Sequence, residues 1–297
     1  MLPFQPVTIH DKQTLQSFFH KVAFGNCDFS FSNIFCWRQS YGTTFAVEDD
    51  WLYIRFQPAG DLPGYLFPVG GGDLKAAMER LKQDAEARAT ELCLYAITQK
   101  MFDLLEDVMP GQLLFEKDRD WYEYVYASED LIQLTGQKYQ AKRNHINKFK
   151  RTYPWEYLPI TREIIPDCVE LYERWCAENA GCNSEESLSE ERTAMQNAFS
   201  HFEALGLTGG ALRIHGEILA YSYGQPLTKT TFGVQAEKCL YEIHGGFAMI
   251  NREFAEHHCA AYDYINREED LGILSLRQAK MSYHPVFLLE KGVVRFK

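Results

Sequence analysis

Between Leu131 and Trp155 this chain of 297 residues has no aspartate and no glutamate, although its formal net charge is −11. The missing acids leave Lys138, Lys142, Arg143, Lys148, Lys150 and Arg151 as an undiluted positive segment at the midpoint. Net acidity excludes broad coating of nucleic acid, but one local basic patch can still meet phosphate. No run of about 18 apolar residues occurs, so no segment is expected to span a membrane. The N-terminus, MLPFQPVTIHDKQTL, lacks a basic region followed by an apolar run, so no secretory signal is readable. The eight cysteines (Cys27, Cys36, Cys93, Cys168, Cys176, Cys182, Cys239 and Cys259) form no Cys-x-x-Cys pair. Free thiols in a reducing, cytoplasmic setting and no metal site are therefore expected. Gly-x-Ser-x-Gly, P-loop and His-Glu-x-x-His motifs are also missing, which removes serine hydrolase, nucleoside triphosphatase and zinc protease readings.

What is present reads as two α/β halves, in keeping with a prior of roughly 150 residues per domain. The first half gives helices at DKQTLQSFF and SFSNIFCWRQ, a hairpin TTFAVEDDWLYIRF turning at Glu48–Asp50, and a strand GYLFPV before the Gly70–Gly72 turn. The helix DLKAAMERLKQDAEA, the strand LCLYAI, the helix KMFDLLEDV and the strand YEYVYA follow. In the second half, the strand WEYLPI precedes two helices, IIPDCVELYERWCAEN and SLSEERTAMQNAFSHF, the latter with Ser189 as the expected N-cap. GALRIHGEILAYSYGQP reads as two strands turning at His215–Gly216, and KTTFGVQA as a third. Then come the helix GGFAMINREFAEHH, the strand AYDYIN, the helix LSLRQAKMSY and strand material PVFLLEKGVVRF containing a Lys291–Gly292 turn. Domains at 1–135 and 155–297, joined by a basic linker helix at 136–154, are the expected organisation.

If the basic segment is helical, Tyr139, Ile146, Phe149 and Tyr153 fall near one face and pack it onto a domain. Lys138, Asn144, Asn147, Lys148 and Arg151 then project outward or flank that face. Such a surface suits phosphates; equally, it suits a solvated helix whose cations pair with the acidic bulk. The block Asn266-Arg267-Glu268-Glu269-Asp270 follows a strand at the end where such sheets place ligands. A partly desolvated carboxylate among Glu268, Glu269 and Asp270 can take a proton from an amine nucleophile, or all three can simply favour the N-terminus of the next helix. Arg277 and Lys280 share a face of that helix and can clamp a phosphate or carboxylate, or pair with the preceding acids.

The order of elements resembles the GCN5-related N-acyltransferase (GNAT) fold used twice in tandem. A narrower resemblance rests on Leu134-Thr135-Gly136-Gln137-Lys138 with Lys142-Arg143-Asn144-His145-Ile146-Asn147, on Asp28 to Asn33 with Trp37-Arg38, and on Asn266 to Gly272 with Leu276-Arg277 and Lys280. As a set these resemble the family of the C-terminal domain of phosphatidylglycerol lysyltransferase, a bacterial type with soluble members of unknown function, over nearly the whole chain. The resemblance implies an α/β tandem of GNAT-like domains and a transferase moving an acyl or aminoacyl group to an amine or hydroxyl. The donor it implies is aminoacyl-tRNA, with the basic segment beside it; acyl-coenzyme A and a non-catalytic, ligand- or partner-binding protein are the alternatives. A small molecule, a peptide or a lipid head group are the acceptors left open. In this fold the turn at Gly245 and Gly246 holds the pyrophosphate of coenzyme A; here no Arg or Gln precedes it, and the glycines can equally serve a tight turn. Gly70 to Gly72 occupy the equivalent place in the first half.

Overall fold

Two mixed sheets organise the chain, each in its own unit of a computed structural model that describes residues 1–22, 24–58, 60–179 and 185–297. The first unit holds β1 (Gln5–Pro6), α1 (Lys12–Phe19), α2 (Phe31–Trp37), β2 (Thr44–Glu48), β3 (Trp51–Phe56), β4 (Gly64–Tyr65), β5 (Val69–Gly70), α3 (Leu74–Ala87), β6 (Cys93–Thr98), α4 (Gln99–Val108) and β7 (Leu113–Lys117). The second holds β8 (Glu123–Ala127, from Tyr124 onward), α5 (Ser128–Gln133), α6 (Gln140–Thr152), β9 (Trp155–Pro159), α7 (Ile165–Asn179), α8 (Glu185–Ser200) and α9 (Phe202–Leu205). It continues through β10 (Thr208–Ile214), β11 (Glu217–Pro226), β12 (Thr231–Cys239), α10 (Gly246–Phe254), β13 (Tyr264–Asn266), α11 (Leu274–Met281, from Ser275 onward) and the start of β14 (Phe287–Leu289, up to Phe287). The last strand, β15 (Lys291–Phe296), returns to the first unit.

In the first unit the strands run β1-β2-β3-β4-β6-β15-β7, with β5 beside β3. All six residues of the uncharged strand β6 are buried, as a strand covered on both faces requires. Helix starts are fixed locally: Ser30 accepts from Asn33 N at 3.3 Å, and Asp73 accepts from Lys75 N at 2.9 Å. The pairing of β6 with β15 slips between Gly292 and Val294, and Ala96 on the bulged strand takes φ +57°.

The second unit's order is β14-β8-β13-β12-β11-β10-β9; from β8 to β9 the pairs are antiparallel except that β12 and β13 are parallel. A bulge at Tyr223/Gly224 bends β11 against β12, and a Cβ on Gly224 would lie 1.9 Å from the Gly233 carbonyl oxygen, so only glycine fits. The β12–β13 pairing ends at Gly233 opposite Asn266, while β12 runs on to Cys239. The two strands therefore part, and the sheet opens at that end.

Several expectations meet a different structure. Residues 124–135, expected with the first half, lie in the second unit, and residues 288–297, expected with the second, lie in the first. The basic helix α6 belongs to the second unit and packs on α10. Helix α8 begins at Glu185, so Ser189 lies inside it and accepts a bond from Thr193 Oγ1 rather than capping. Lys291–Gly292 is no turn: the break falls at Glu290, and Lys291 opens β15 at 1% exposure. The short elements β7 and α5 were not foreseen. Seven cysteines are free and buried, and Cys182 lies outside the described residues. Among the described residues no helix is long and apolar enough to cross a membrane.

Candidate functional site

The opening between β12 and β13 is lined by charge. Glu237, on the part of β12 beyond the parallel pairing, accepts from Arg267 at 3.0 Å and from Asn251 Nδ2 of α10 at 2.9 Å. The Arg267 guanidinium carbon lies 5.0 Å from the centre of the Tyr283 ring and 5.7 Å from that of Tyr126. On the other side of Tyr283, Lys142 of α6 places its ammonium 3.7 Å from the ring centre and donates to Ser282 Oγ at 2.6 Å. Burial, helped by the Arg267 charge, pulls the Lys142 ammonium down to about 8. Lys280 is buried and donates to the Arg267 carbonyl at 2.6 Å, fixing the turn that carries the guanidinium. Lys142, Arg267 and Lys280 against Glu237 make a net-positive group within one unit.

Of the residues named from sequence, Lys142 and Lys280 come together here. Asn266 is fully buried and its Oδ1 accepts from Glu268 N at 2.9 Å, so it shapes the turn after β13. Lys138 pairs with Asp130 at 3.1 Å, and Arg143 is spent on the carbonyls of Leu134 and Gly136. Asn144, Asn147 and Lys148 are exposed on α6, as is Arg151. Arg277 is half-buried on α11. Glu237, Asn251, Tyr126 and Tyr283 were missed by sequence reasoning; the Glu237–Lys238 pair inside strand β12 was the one available signal.

The glycine turn before α10 is closed by packing. A Cβ on Gly245 (φ +83°) would lie 2.6 Å from the His145 carbonyl oxygen of α6, and one on Gly246 would lie 2.4 Å from Cys239 Sγ. His244 N donates to Tyr153 Oη at 3.3 Å and Gly246 N to the Ile243 carbonyl at 2.9 Å. These amides, which would face a pyrophosphate, already have protein partners. In the first unit, Gly70 and Gly72 make room for the Trp51 side chain.

Glu269 and Asp270 lie in the first unit. Asp270 is fully buried, accepts from Arg119 at 3.2 Å and from Gly272 N at 2.9 Å, and so locks its own loop. Glu269 joins a buried cluster that the sequence did not reveal: the Lys291 ammonium donates to Glu269, to Glu123 at 2.6 Å and to Asp28 at 2.6 Å. Cys27 N and Sγ both donate to Glu123 as well, at 3.1 and 3.2 Å. Burial pushes the Glu123 carboxyl up to about 7; Lys291 opposes this, and Glu269 and Asp28 add to it. Burial raises Asp28 too, while the three carboxylates together outweigh burial at Lys291 and hold its ammonium well above the ordinary range. Donor atoms of Cys27, Asp28, Glu123 and Glu269 lie within 4.8 Å of one another, a spacing that suits a metal ion, but the Lys291 ammonium bonds three of these four residues and takes the cation's place.

The family described as phosphatidylglycerol lysyltransferase, C-terminal, matches residues 19–294. A crystal structure of a conserved protein of unknown function from Bacteroides thetaiotaomicron is 46% identical, with a TM-score of 0.94 and full coverage of both chains. L-PGS from Bacillus licheniformis shares the fold with a TM-score of 0.64 at 16% identity, over 96% of this chain and 91% of that one. An uncharacterized protein of Mycoplasmoides gallisepticum is 22% identical over 181 residues, 58% of this chain and 55% of the relative, so the match spans about half that protein's length.

Proposed function

We propose that this chain, which belongs to the phosphatidylglycerol lysyltransferase C-terminal family, transfers an acyl or aminoacyl group from an activated ester to an amine or hydroxyl by direct attack. The tandem GNAT-like α/β fold supports the reaction class, and the charged opening between β12 and β13 supports the place. There Arg267 meets negative charge, either on a donor phosphate or on the carbonyl oxygen as the nucleophile adds. Glu237 and Lys280 hold Arg267 at the required angle from two sides. Lys142, whose ammonium is pulled down to about 8, takes in its neutral form the proton that the attacking amine or hydroxyl gives up and passes it to the ester oxygen that departs with the donor. Glu268, next to Arg267 in the same unit, takes part in the turn that presents the guanidinium, its N–H held by Asn266 Oδ1.

The observation that carries the choice of donor is the Gly245 turn. With the His145 carbonyl 2.6 Å from the Cβ position and the turn amides already bonded, a coenzyme A pyrophosphate has no cradle at the start of α10. An aminoacyl-tRNA, held by the exposed cations Lys148 and Arg151 of α6, is the donor this favours. The acceptor is a small amino compound, a peptide or a lipid head group. Thermal denaturation separates the donors: saturating acetyl-coenzyme A should leave Tm unchanged, while aminoacyl-tRNA should bind with a steep salt dependence. A Tm rise with acetyl-coenzyme A and no tRNA binding would reverse the assignment in favour of an acyl-coenzyme A N-acyltransferase.

A further inference from the structure

The first unit contains a cavity, open to solvent, between α2 and the β2–β3–β4 side of its sheet. Its walls are mainly apolar, with the rings of Trp37, Tyr41 and Phe56 in succession. Trp37 and Tyr41 stack at 5.7 Å, and Tyr41 meets Phe56 edge-on at 6.4 Å. Asp28 and Asn33 line the same space. Lys291 and Asn26 both donate to Asp28 Oδ2, at 2.6 and 3.0 Å, which leaves Oδ1 of that carboxylate open. The Asn33 amide nitrogen is turned to the Cys27 carbonyl at 3.4 Å, so its oxygen is the atom left to accept. Beside them Asn26 Oδ1 is buried and accepts no hydrogen bond.

Charge points the same way. Behind Asp28, the carboxylates of Asp28, Glu123 and Glu269 all accept from the Lys291 ammonium, and the Cys27 thiol donates to Glu123. A cation entering beside Asp28 adds positive charge next to three clustered carboxylates.

We propose that this cavity binds a small organic cation, a primary ammonium on an apolar or aromatic body. The ammonium donates to Asp28 Oδ1 and Asn33 Oδ1, and the Trp37–Tyr41–Phe56 rings pack the body and attract the charge. The inference does not rest on the transferase reading: it concerns the first unit alone and stands or falls on binding.

Calorimetry on the full chain with phenethylamine, 2-phenylethanol and 3-phenylpropanoate tests it. Phenethylamine should bind at least about tenfold more tightly than the neutral and anionic analogues. Asp28→Asn should erase that preference. Because Asp28 also anchors Lys291 and its loss can disturb folding, Trp37→Leu, on the far wall, provides the second variant and should weaken the amine by a similar factor with Tm preserved. Near pH 7, titrations in two buffers of different ionisation enthalpy should show fractional proton release, since the incoming cation lowers the proton affinity of the Glu123 cluster. Equal affinity for the three probes, no binding of any, an undiminished preference in Asp28→Asn, or binding without proton release would each overturn the proposal.

Discussion

The Lys291 ammonium and a Glu123 carboxylate oxygen meet at 2.6 Å, with the two side chains 1% and 0% exposed. Glu123 ends the first long segment of its unit and Lys291 opens the last strand, so this pair ties together parts of the chain 168 positions apart. Removing one partner leaves buried charge of one sign. Lys291→Met should lower the unfolding free energy by about 3–5 kcal/mol. Urea denaturation reads this directly, and a loss under about 1 kcal/mol would mean that the cluster is hydrated rather than closed.

The same cluster gives stability a pH dependence with a definite sign. The Glu123 pKa is raised on folding, from an ordinary carboxylate value to about 7, so the folded state holds the proton more tightly than the unfolded state. That contribution is complete below the unfolded pKa and is lost as pH rises through about 7. Glu123→Gln keeps the neutral form permanently. Relative to this variant, the native protein should lose stability between about pH 5 and pH 8, the cluster titrating as a unit. Parallel curves for the two proteins would contradict it.

Gly245 and Gly216 separate two reasons for glycine. Both have positive φ, +83° and +90°, but a Cβ at Gly216 meets nothing within 4 Å while one at Gly245 meets the His145 carbonyl. Gly216→Ala should cost about 1 kcal/mol from backbone conformation alone. Gly245→Ala should cost at least about 2 kcal/mol, because α6 must also move off the turn. Equal Tm losses would show that the close approach does not matter.

Polyanion binding should run through the outer cations of α6. Lys148→Glu with Arg151→Glu should weaken tRNA binding by orders of magnitude and lower the salt slope by about two, with little change in Tm. Arg143→Glu, by contrast, should lower Tm, since Arg143 holds the carbonyls of Leu134 and Gly136. Salt-insensitive tRNA binding that survives the outer pair of substitutions would remove the phosphate role from this helix.

Much of the architecture was legible because its signals are local. Alternation gave β10 to β12, the His215–Gly216 turn was marked by its glycine, and the acid-free stretch marked α6. The cluster around Lys291 was not legible, since Asp28, Glu123 and Glu269 lie 263, 168 and 22 positions away and no spacing rule joins them. Glu-Lys-Gly reads as a surface turn; only the sheet that buries β15 makes Lys291 an interior cation. At the second unit's opening, Lys142 and Lys280 were found because they sit in charged blocks, whereas Glu237 lies in the part of β12 beyond the stretch paired with β13, where no motif marks it.

The most direct test is a transfer assay with tRNA charged with labelled amino acids, following label into amine, peptide and lipid acceptors. The native protein should move label to one acceptor class, with a rate that rises with pH to a plateau around the Lys142 value of about 8. Arg267→Lys should reduce transfer by about a hundredfold or more at unchanged Tm, and Lys142→Arg should abolish the pH inflection. Undiminished transfer in Arg267→Lys, a pH inflection retained in Lys142→Arg, or release of label only at the uncatalysed rate with every acceptor would contradict the account.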